Sequence, residues 1–224
     1  MKHLFLSLSA IIFIAFSSFA QKTKIVMETD SGRIVLELYD GTPQHRDNMI
    51  KQVKAHFYDS ILFHRVIPEF MVQVGDPNSK HAAPGAALGD GDVGYKIPAE
   101  IQDQYYHKRG ALGAARDNNP EKQSSGCQFY IVVGKKYTDS ELDAIEQRSG
   151  KKYTTAQRET YKTIGGTPFL DGNYTVYGEV VEGLDVADKI SKVPRNSMDR
   201  PNGDIHIREM YVEKKKKKKR FLFF

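Results

Sequence analysis

Cysteine is nearly absent: Cys127 is the only one in 224 residues. An intrachain disulfide is therefore excluded, as is any zinc site built from several cysteines. The seven histidines form no H-x-x-x-H pair and no H-E-x-x-H motif, so the helix-borne metalloprotease pattern is missing. No G-x-S-x-G elbow and no Walker A loop occurs, which removes the usual hydrolase and nucleotide-triphosphate signatures. Basic charge is also scarcer than it looks. The formal net charge is +5, but residues 214–220 supply seven of the 33 Lys and Arg and Lys2 supplies another. That leaves 25 basic against 28 acidic residues, or −3, so the body lacks a nucleic-acid footprint and no nucleic-acid partner is expected.

Long apolar runs are scarce too. The only one covers residues 4–19, after Lys2 and His3 and before Ser18-Phe19-Ala20. At about 16 residues it is short of the roughly 20 needed to span a bilayer. It reads as a secretory signal over residues 1–20, cleaved before Gln21, with an uncleaved anchor as the alternative. Export across an inner membrane, to the periplasm, is the expected localisation. At the other end, six lysines and Arg220 precede Phe221-Leu222-Phe223-Phe224. A block of like charge repels itself, so residues 213–224 are expected to be a disordered tail, with weak attraction to anionic surfaces.

The remainder has the length of one domain. Ile25-Val26-Met27 and the run Ile34-Val35-Leu36-Glu37-Leu38 flank Asp30-Ser31-Gly32, which predicts a hairpin. Thr42 and Pro43 open an amphipathic helix bearing Met49, Ile50 and Val53. Residues 89–94 fit G-x-G-x-x-G, but no apolar strand precedes them and no helix opens, so the dinucleotide reading fails its own context test. Gly110 and Gly113 flank a small-residue run, where another backbone or a ligand is expected to come close. Residues 128–133 read as a buried strand, 175–181 as another, and 204–212 as the last. Residues 183–191 form a second amphipathic helix. Between them, residues 135–166 turn charged and helical, with capping boxes at Thr138–Glu141 and Thr154–Gln157. This insertion reads as a solvated surface element, with a partner-binding arm as the alternative. Many short strands and two separated core helices favour a mainly β fold: a closed antiparallel barrel with helices over its ends.

One stretch holds an unexplained charge. In FHRVIPEFMVQVGD, residues 63–76, Arg65 sits among Phe63, Val66, Ile67, Phe70 and Met71. Pro68 breaks the alternation, so two short strands meet at a corner, and Phe63, Arg65, Met71 and Gln73 are expected on one face. A charge on an apolar face is costly unless it has a partner or a role. Either the stem of Arg65 covers the edge of the core while its head reaches water, or the charge is held for chemistry. His64, on the opposite face, reads as a packed core histidine.

The fourteen positions of that stretch resemble the signature of the cyclophilin family of peptidyl-prolyl cis-trans isomerases. Tyr58-Asp59 stands upstream of it. Downstream, in family order, come Gly126-Cys127-Gln128-Phe129-Tyr130-Ile131, Phe169-Leu170-Asp171-Gly172 and Val176-Tyr177-Gly178-Glu179-Val180. The resemblance covers residues 22–212 apart from the insertion. The insertion, with PNSKHAAPG and LGDGD before it, is similar to secreted cyclophilins of Bacteroidetes-type bacteria. What the resemblance implies is an eight-stranded closed antiparallel barrel capped by two helices and a monomer that needs no cofactor or metal. It implies proline-containing unfolded or exported polypeptides as partners.

The family's active face carries over position by position. Arg65 matches the catalytic arginine. Phe70, Met71, Tyr130 and Leu170 match the proline pocket, and Gln73 the side chain that binds the substrate backbone. Ala115, Arg116, Gln128, Phe169 and Tyr174 match further groove positions. The chain departs from the family's common residues with Tyr130 for Phe, Phe169 for Trp, Tyr174 for His, Arg116 for Asn and Val74 for Gly. Catalysis of this kind needs no nucleophile, in keeping with the missing motifs. A non-catalytic proline-binding chaperone or interaction module is the alternative, since it would keep the groove without turnover.

Overall fold

The computed structural model of the chain describes residues 22–214; the expected signal over 1–20 and nearly all of the expected tail lie outside them. The body starts with the predicted hairpin, β1 (Lys24–Thr29) and β2 (Gly32–Leu38), joined through Asp30 and Ser31. Thr29 Oγ1 accepts from the N–H groups of Ser31 and Gly32 at 3.1 Å each, so the turn satisfies its own donors. Helix α1 (Pro43–Lys54) follows. Pro43 opens it as expected, but the Thr42 side chain makes no capping bond. Glu100, 55 residues on from His45, caps it instead, accepting from Gln44 N–H at 3.1 Å and His45 N–H at 3.0 Å. A carboxylate at a helix N-terminus also meets the positive end of the dipole.

Next come β3 (Phe63–Ile67) and β4 (Met71–Val74), the short β5 (Lys96–Ile97), β6 (Ala111–Ala114), the short β7 (Ser124–Ser125) and β8 (Phe129–Val132). Helices α2 (Asp139–Ser149) and α3 (Thr155–Thr163) form the insertion, then β9 (Val176–Glu182), α4 (Leu184–Ser191) and β10 (Ile207–Val212) finish the body. Both capping boxes form, at Thr138 with Glu141 and at Thr154 with Gln157.

Eight strands make one antiparallel, curled sheet in the order β10-β1-β2-β9-β6-β8-β4-β3. The expected closed barrel is not observed, because the ladder stops at β3 and β10. Their seam holds one bridge, Leu62 with His206, and backbone bonds such as Phe63 N–H to Ile205 O at 3.0 Å. Beyond it the chain before β10 turns away, and Val66 N–H donates to Asp199 O at 2.8 Å instead of to a strand. α1 packs on β9 and β10, and α4 on β2, β3 and β4, as the two capping helices. Inside lie Ile25, Met27, Leu36, Phe63, Val72, Phe129 and Ile131, all buried.

The ends of the body meet: Ile25 pairs with Val212, and Glu213 N–H donates to Lys24 O at 2.9 Å. The insertion is less solvated than expected. Its outer face carries ion pairs, Arg158 reaching Asp143 at 2.8 Å and Asp139 at 3.1 Å. Its inner face is a small core of Tyr137, Leu142, Ile145, Tyr153 and Tyr161, with Tyr106 packed against it.

Candidate active site

The site grows from one row across the sheet. Arg65 on β3 pairs with Gln73 on β4, Gln73 with Tyr130 on β8, Tyr130 with Gly113 on β6, and Gly113 with Val176 on β9. Side chains in register on one face of a sheet converge. The register also corrects one expectation. A bulge between Phe63 and Arg65 turns Phe63 into the core with Val66, Val72 and Val74, while Arg65, Met71 and Gln73 stay on the other face. A one-residue slip of this kind reverses the face.

A cavity of about 110 Å³ lies over the row, lined by Arg65, Phe70, Met71, Gln73, Ala115, Arg116, Tyr130, Leu170 and Tyr174. Nine of the eleven expected residues thus come together. Gln128 stands behind Gln73, and Phe169 lies on the rim, 47% exposed, its ring 5.6 Å from that of Phe70. A larger cavity of about 720 Å³ adjoins the first and shares Gln73, Ala115 and Arg116 with it.

Polar groups around the apolar pocket are held in place. Gln128 Nε2 donates to Gly89 O and Gly91 O at 2.8 Å each, which fixes its amide, and its Oε1 accepts from Gln73 Nε2 at 3.0 Å. The G-x-G-x-x-G decoy is therefore a wall. Gly91 is needed there because a Cβ would sit 2.0 Å from Asp76 Oδ1. The Arg65 side chain is 43% exposed; its Nε lies 3.9 Å from Asp199 Oδ2, and its guanidinium 5.8 Å from the Phe70 ring centre. Asp199 is engaged more closely by Arg195, at 3.0 Å. The donors of Arg65 are thus left for a ligand. Arg116 bridges two loops through Asn173 O and Asp117 O, at 2.9 Å each, with its guanidinium 4.7 Å from the Tyr174 ring centre.

The Tyr130 hydroxyl does not enter the pocket. It meets His107 Nε2 at 2.8 Å, and burial holds the phenol's pKa well above its ordinary value, so it stays protonated. Gly113 lies under that ring: a Cβ there would come within 2.2 Å of Tyr130 Cζ. The expected close approach at Gly113 is therefore a side chain of the pocket itself. His64 is buried, with neither ring nitrogen hydrogen-bonded and its pKa lowered to about 4, chiefly by desolvation. Burial pushes the Cys127 thiol up to about 11, which disqualifies it as a thiolate nucleophile. Among the described residues no three metal-ligating side chains cluster, and no helix is long and apolar enough to cross a membrane.

Sequence reasoning gave His107 and Asp171 no role, although both stand directly behind the pocket. They are 64 residues apart, and no local spacing links them.

Comparisons with known proteins identify the family. The family model for cyclophilin type peptidyl-prolyl cis-trans isomerase/CLD matches residues 24–212. A Staphylococcus epidermidis protein named as a peptidyl-prolyl cis-trans isomerase is 32% identical over 191 residues, covering 85% of this chain and 91% of that one. A Streptococcus pyogenes protein named as a bifunctional phosphatase/peptidyl-prolyl cis-trans isomerase is 35% identical over 195 residues, 84% of this chain. The chain spans only 38% of that relative's length. Among solved structures, a cyclophilin type isomerase of Cryptosporidium parvum superposes with a TM-score of 0.66 at 19% identity, covering 88% of this chain and all of that one. The same protein in the presence of the dipeptide Ala-Pro gives 0.62 at 20%, covering 86% and 99%. At such identity the structures speak for the fold alone. The sequence matches carry the assignment, and the chain belongs to the cyclophilin-type peptidyl-prolyl cis-trans isomerase family.

Proposed function

We propose that this isomerase acts on proline-containing segments of exported polypeptides, with Arg65 as its catalytic residue. The observation that carries the residue assignment is the row Arg65–Gln73–Tyr130–Gly113 under an apolar cavity, with one guanidinium whose nearest carboxylate is 3.9 Å away.

The chemistry follows from the amide. Resonance hinders rotation by about 18–20 kcal/mol, and uncatalysed Xaa-Pro isomerisation takes roughly tens to hundreds of seconds. In the twisted transition state the prolyl nitrogen is pyramidal and its lone pair is localised. Arg65 donates a hydrogen bond to that lone pair, an interaction the planar ground state hardly offers. Such differential binding is what lowers a barrier. Phe70, Met71, Tyr130 and Leu170 enclose the ring. Gln73 anchors the flanking backbone, and Gln128 holds Gln73. Arg suits the role better than Lys because its charge persists and its fork is planar. A dipeptide ending in proline was present with the Cryptosporidium parvum relative, which supports a small proline ligand here.

Periplasmic localisation rests on the apolar run at residues 4–19, and a monomeric state and weak anionic-surface contact through residues 214–220 complete the reading. The test is an Xaa-Pro exchange assay on protein lacking residues 1–20, paired with fractionation of cells expressing the full chain. Accelerated exchange and a shortened protein outside the inner membrane are expected. Peptide binding without acceleration would replace catalysis by a proline-binding chaperone, and a full-length cytoplasmic product would remove the export role.

A further inference from the structure

Behind the proline pocket lies a chain of buried polar side chains that reaches into the insertion. Tyr161 on α3, fully buried, donates its hydroxyl to Asp171 Oδ2. Asp171 Oδ1 accepts from His107 Nδ1 at 2.6 Å and from the His107 backbone N–H at 2.8 Å. A carboxylate only accepts, so Nδ1 carries a ring proton, and in the neutral imidazole Nε2 is left with a lone pair. The Tyr130 hydroxyl therefore donates to Nε2, at 2.8 Å. The His107 and Asp171 side chains are each 1% exposed.

Both pocket tyrosines rest on this histidine. The Tyr130 ring lies 6.0 Å from it at an interplanar angle of 11°, and Tyr174 meets it edge-on at 6.4 Å. The insertion makes a second hold. Tyr153 donates to Pro168 O at 2.6 Å, fixing the turn that carries Leu170. Thr167 N–H donates to His107 O at 2.8 Å, and Gly166 bridges Lys108 and Lys135.

We propose that the 135–166 insertion braces the proline pocket, with Tyr161 as a positioning residue that acts on Tyr130 through Asp171 and His107. The inference rests on the proline-pocket reading above. Buried polar networks that are fully satisfied rigidify what they hold, and losing one donor leaves its partner unpaired in a dry site. Without the Tyr161 hydroxyl, Asp171 keeps its bonds to His107 but loses its tie to the insertion, and the His107 ring and the Tyr130 wall above Gly113 are held less firmly.

The test is a double-mutant cycle with Tyr161→Phe and Tyr130→Phe, measured on an Xaa-Pro peptide well below the melting temperature of each variant. Tyr161→Phe is expected to lower kcat/KM roughly three- to tenfold, mainly through KM, because the wall touches the ring in ground and transition states alike. In the Tyr130→Phe background the same change is expected to have little further effect, since the route to the pocket is already cut. Losses that multiply in the double variant, or a Tyr161→Phe variant within about twofold of wild type on that scale, would overturn the brace. Wild-type protein that does not turn the peptide over would instead overturn the isomerase reading and the brace with it. Should Tyr161→Phe not fold, wild-type NMR decides. Saturation with an Ala-Pro peptide is expected to shift the His107 ring nitrogens and the Tyr161 resonances; pocket signals that move while these stay fixed would refute the coupling.

Discussion

Replacing Arg65 by alanine isolates the one interaction assigned to the transition state. In a dry site, removing a hydrogen-bond donor of this kind costs about 2.7–4 kcal/mol. Here the side chain is 43% exposed, so water competes and the lower end applies. A loss of about 2–3 kcal/mol corresponds to a roughly 30- to 150-fold fall in kcat/KM. The ground state should hardly notice. Arg65 acts on the bound planar peptide only indirectly, by seating the Phe70 wall through a cation–π contact 5.8 Å from the ring centre. Such a contact is worth about 0.5–1 kcal/mol at an exposed site, no more than roughly fivefold in Kd. Arg65→Lys keeps the charge and loses the fork, and should fall between wild type and alanine. NMR exchange spectroscopy on one Xaa-Pro peptide reads both turnover and binding. Arg65→Ala with kcat within about threefold of wild type, or with its loss wholly in Kd, would show that the twisted nitrogen is not the target.

Gly113→Ala is expected to act on the pocket from below. The new Cβ collides with the Tyr130 ring, so the variant should lose about 1–3 kcal/mol of stability as overpacked sites do, with a raised KM; unchanged urea midpoints and peptide kinetics would mean the ring is not seated there. His64 should make stability fall in acid. Its folded pKa of about 4 lies below the ordinary 6.5, so the unfolded chain binds the proton more readily. The benefit is complete above about pH 6.5 and drains as pH falls through 4, about 3 kcal/mol in all as an order of magnitude. Urea titrations from pH 7 to 4 should show that slope in wild type and a shallower one in His64→Phe; parallel slopes would assign the acid sensitivity to other groups.

Much of this site is legible in the chain because it is local. Residues 63–76 contribute Arg65, Phe70, Met71 and Gln73 within one hairpin, and the strand alternation brings Met71 and Gln73 onto the Arg65 side. Alternation failed at Phe63 because a bulge is a backbone event that no side-chain pattern announces. Thr42 was a reasonable cap by residue type, yet a longer-range carboxylate, Glu100, took the place. The closed barrel was inferred from the number of strands. Whether a ladder closes depends on how far β10 runs beside β3, which is set by the turn around Asp199 and not by composition. The tyrosines of the insertion look like surface residues when its charged neighbours are counted. Their burial follows from docking against Tyr106 and the turn after Thr167, contacts fixed only by the fold. Asp171 stands in a motif the chain displays, but its pairing with His107, 64 residues away, is fixed only by the fold as well.

The meeting of Lys24 with Glu213 makes the order of the strands along the chain separable from their order in space. Lys24 and Glu213 meet where the paired strands β1 and β10 end, so the body is nearly a ring that opens between β10 and β1. A second opening is available at Gly150, an exposed left-handed residue at the end of α2 where an added Cβ would meet no atom within 4 Å. A circular permutant with 214 linked to 22 and new ends at Gly150 would keep every strand pairing intact, since exposed loop tips tolerate such cuts. It would attach α2 and α3 to opposite ends of the molecule. Isomerase activity in such a permutant would report whether the two helices hold the pocket by their packing or only because the chain joins them.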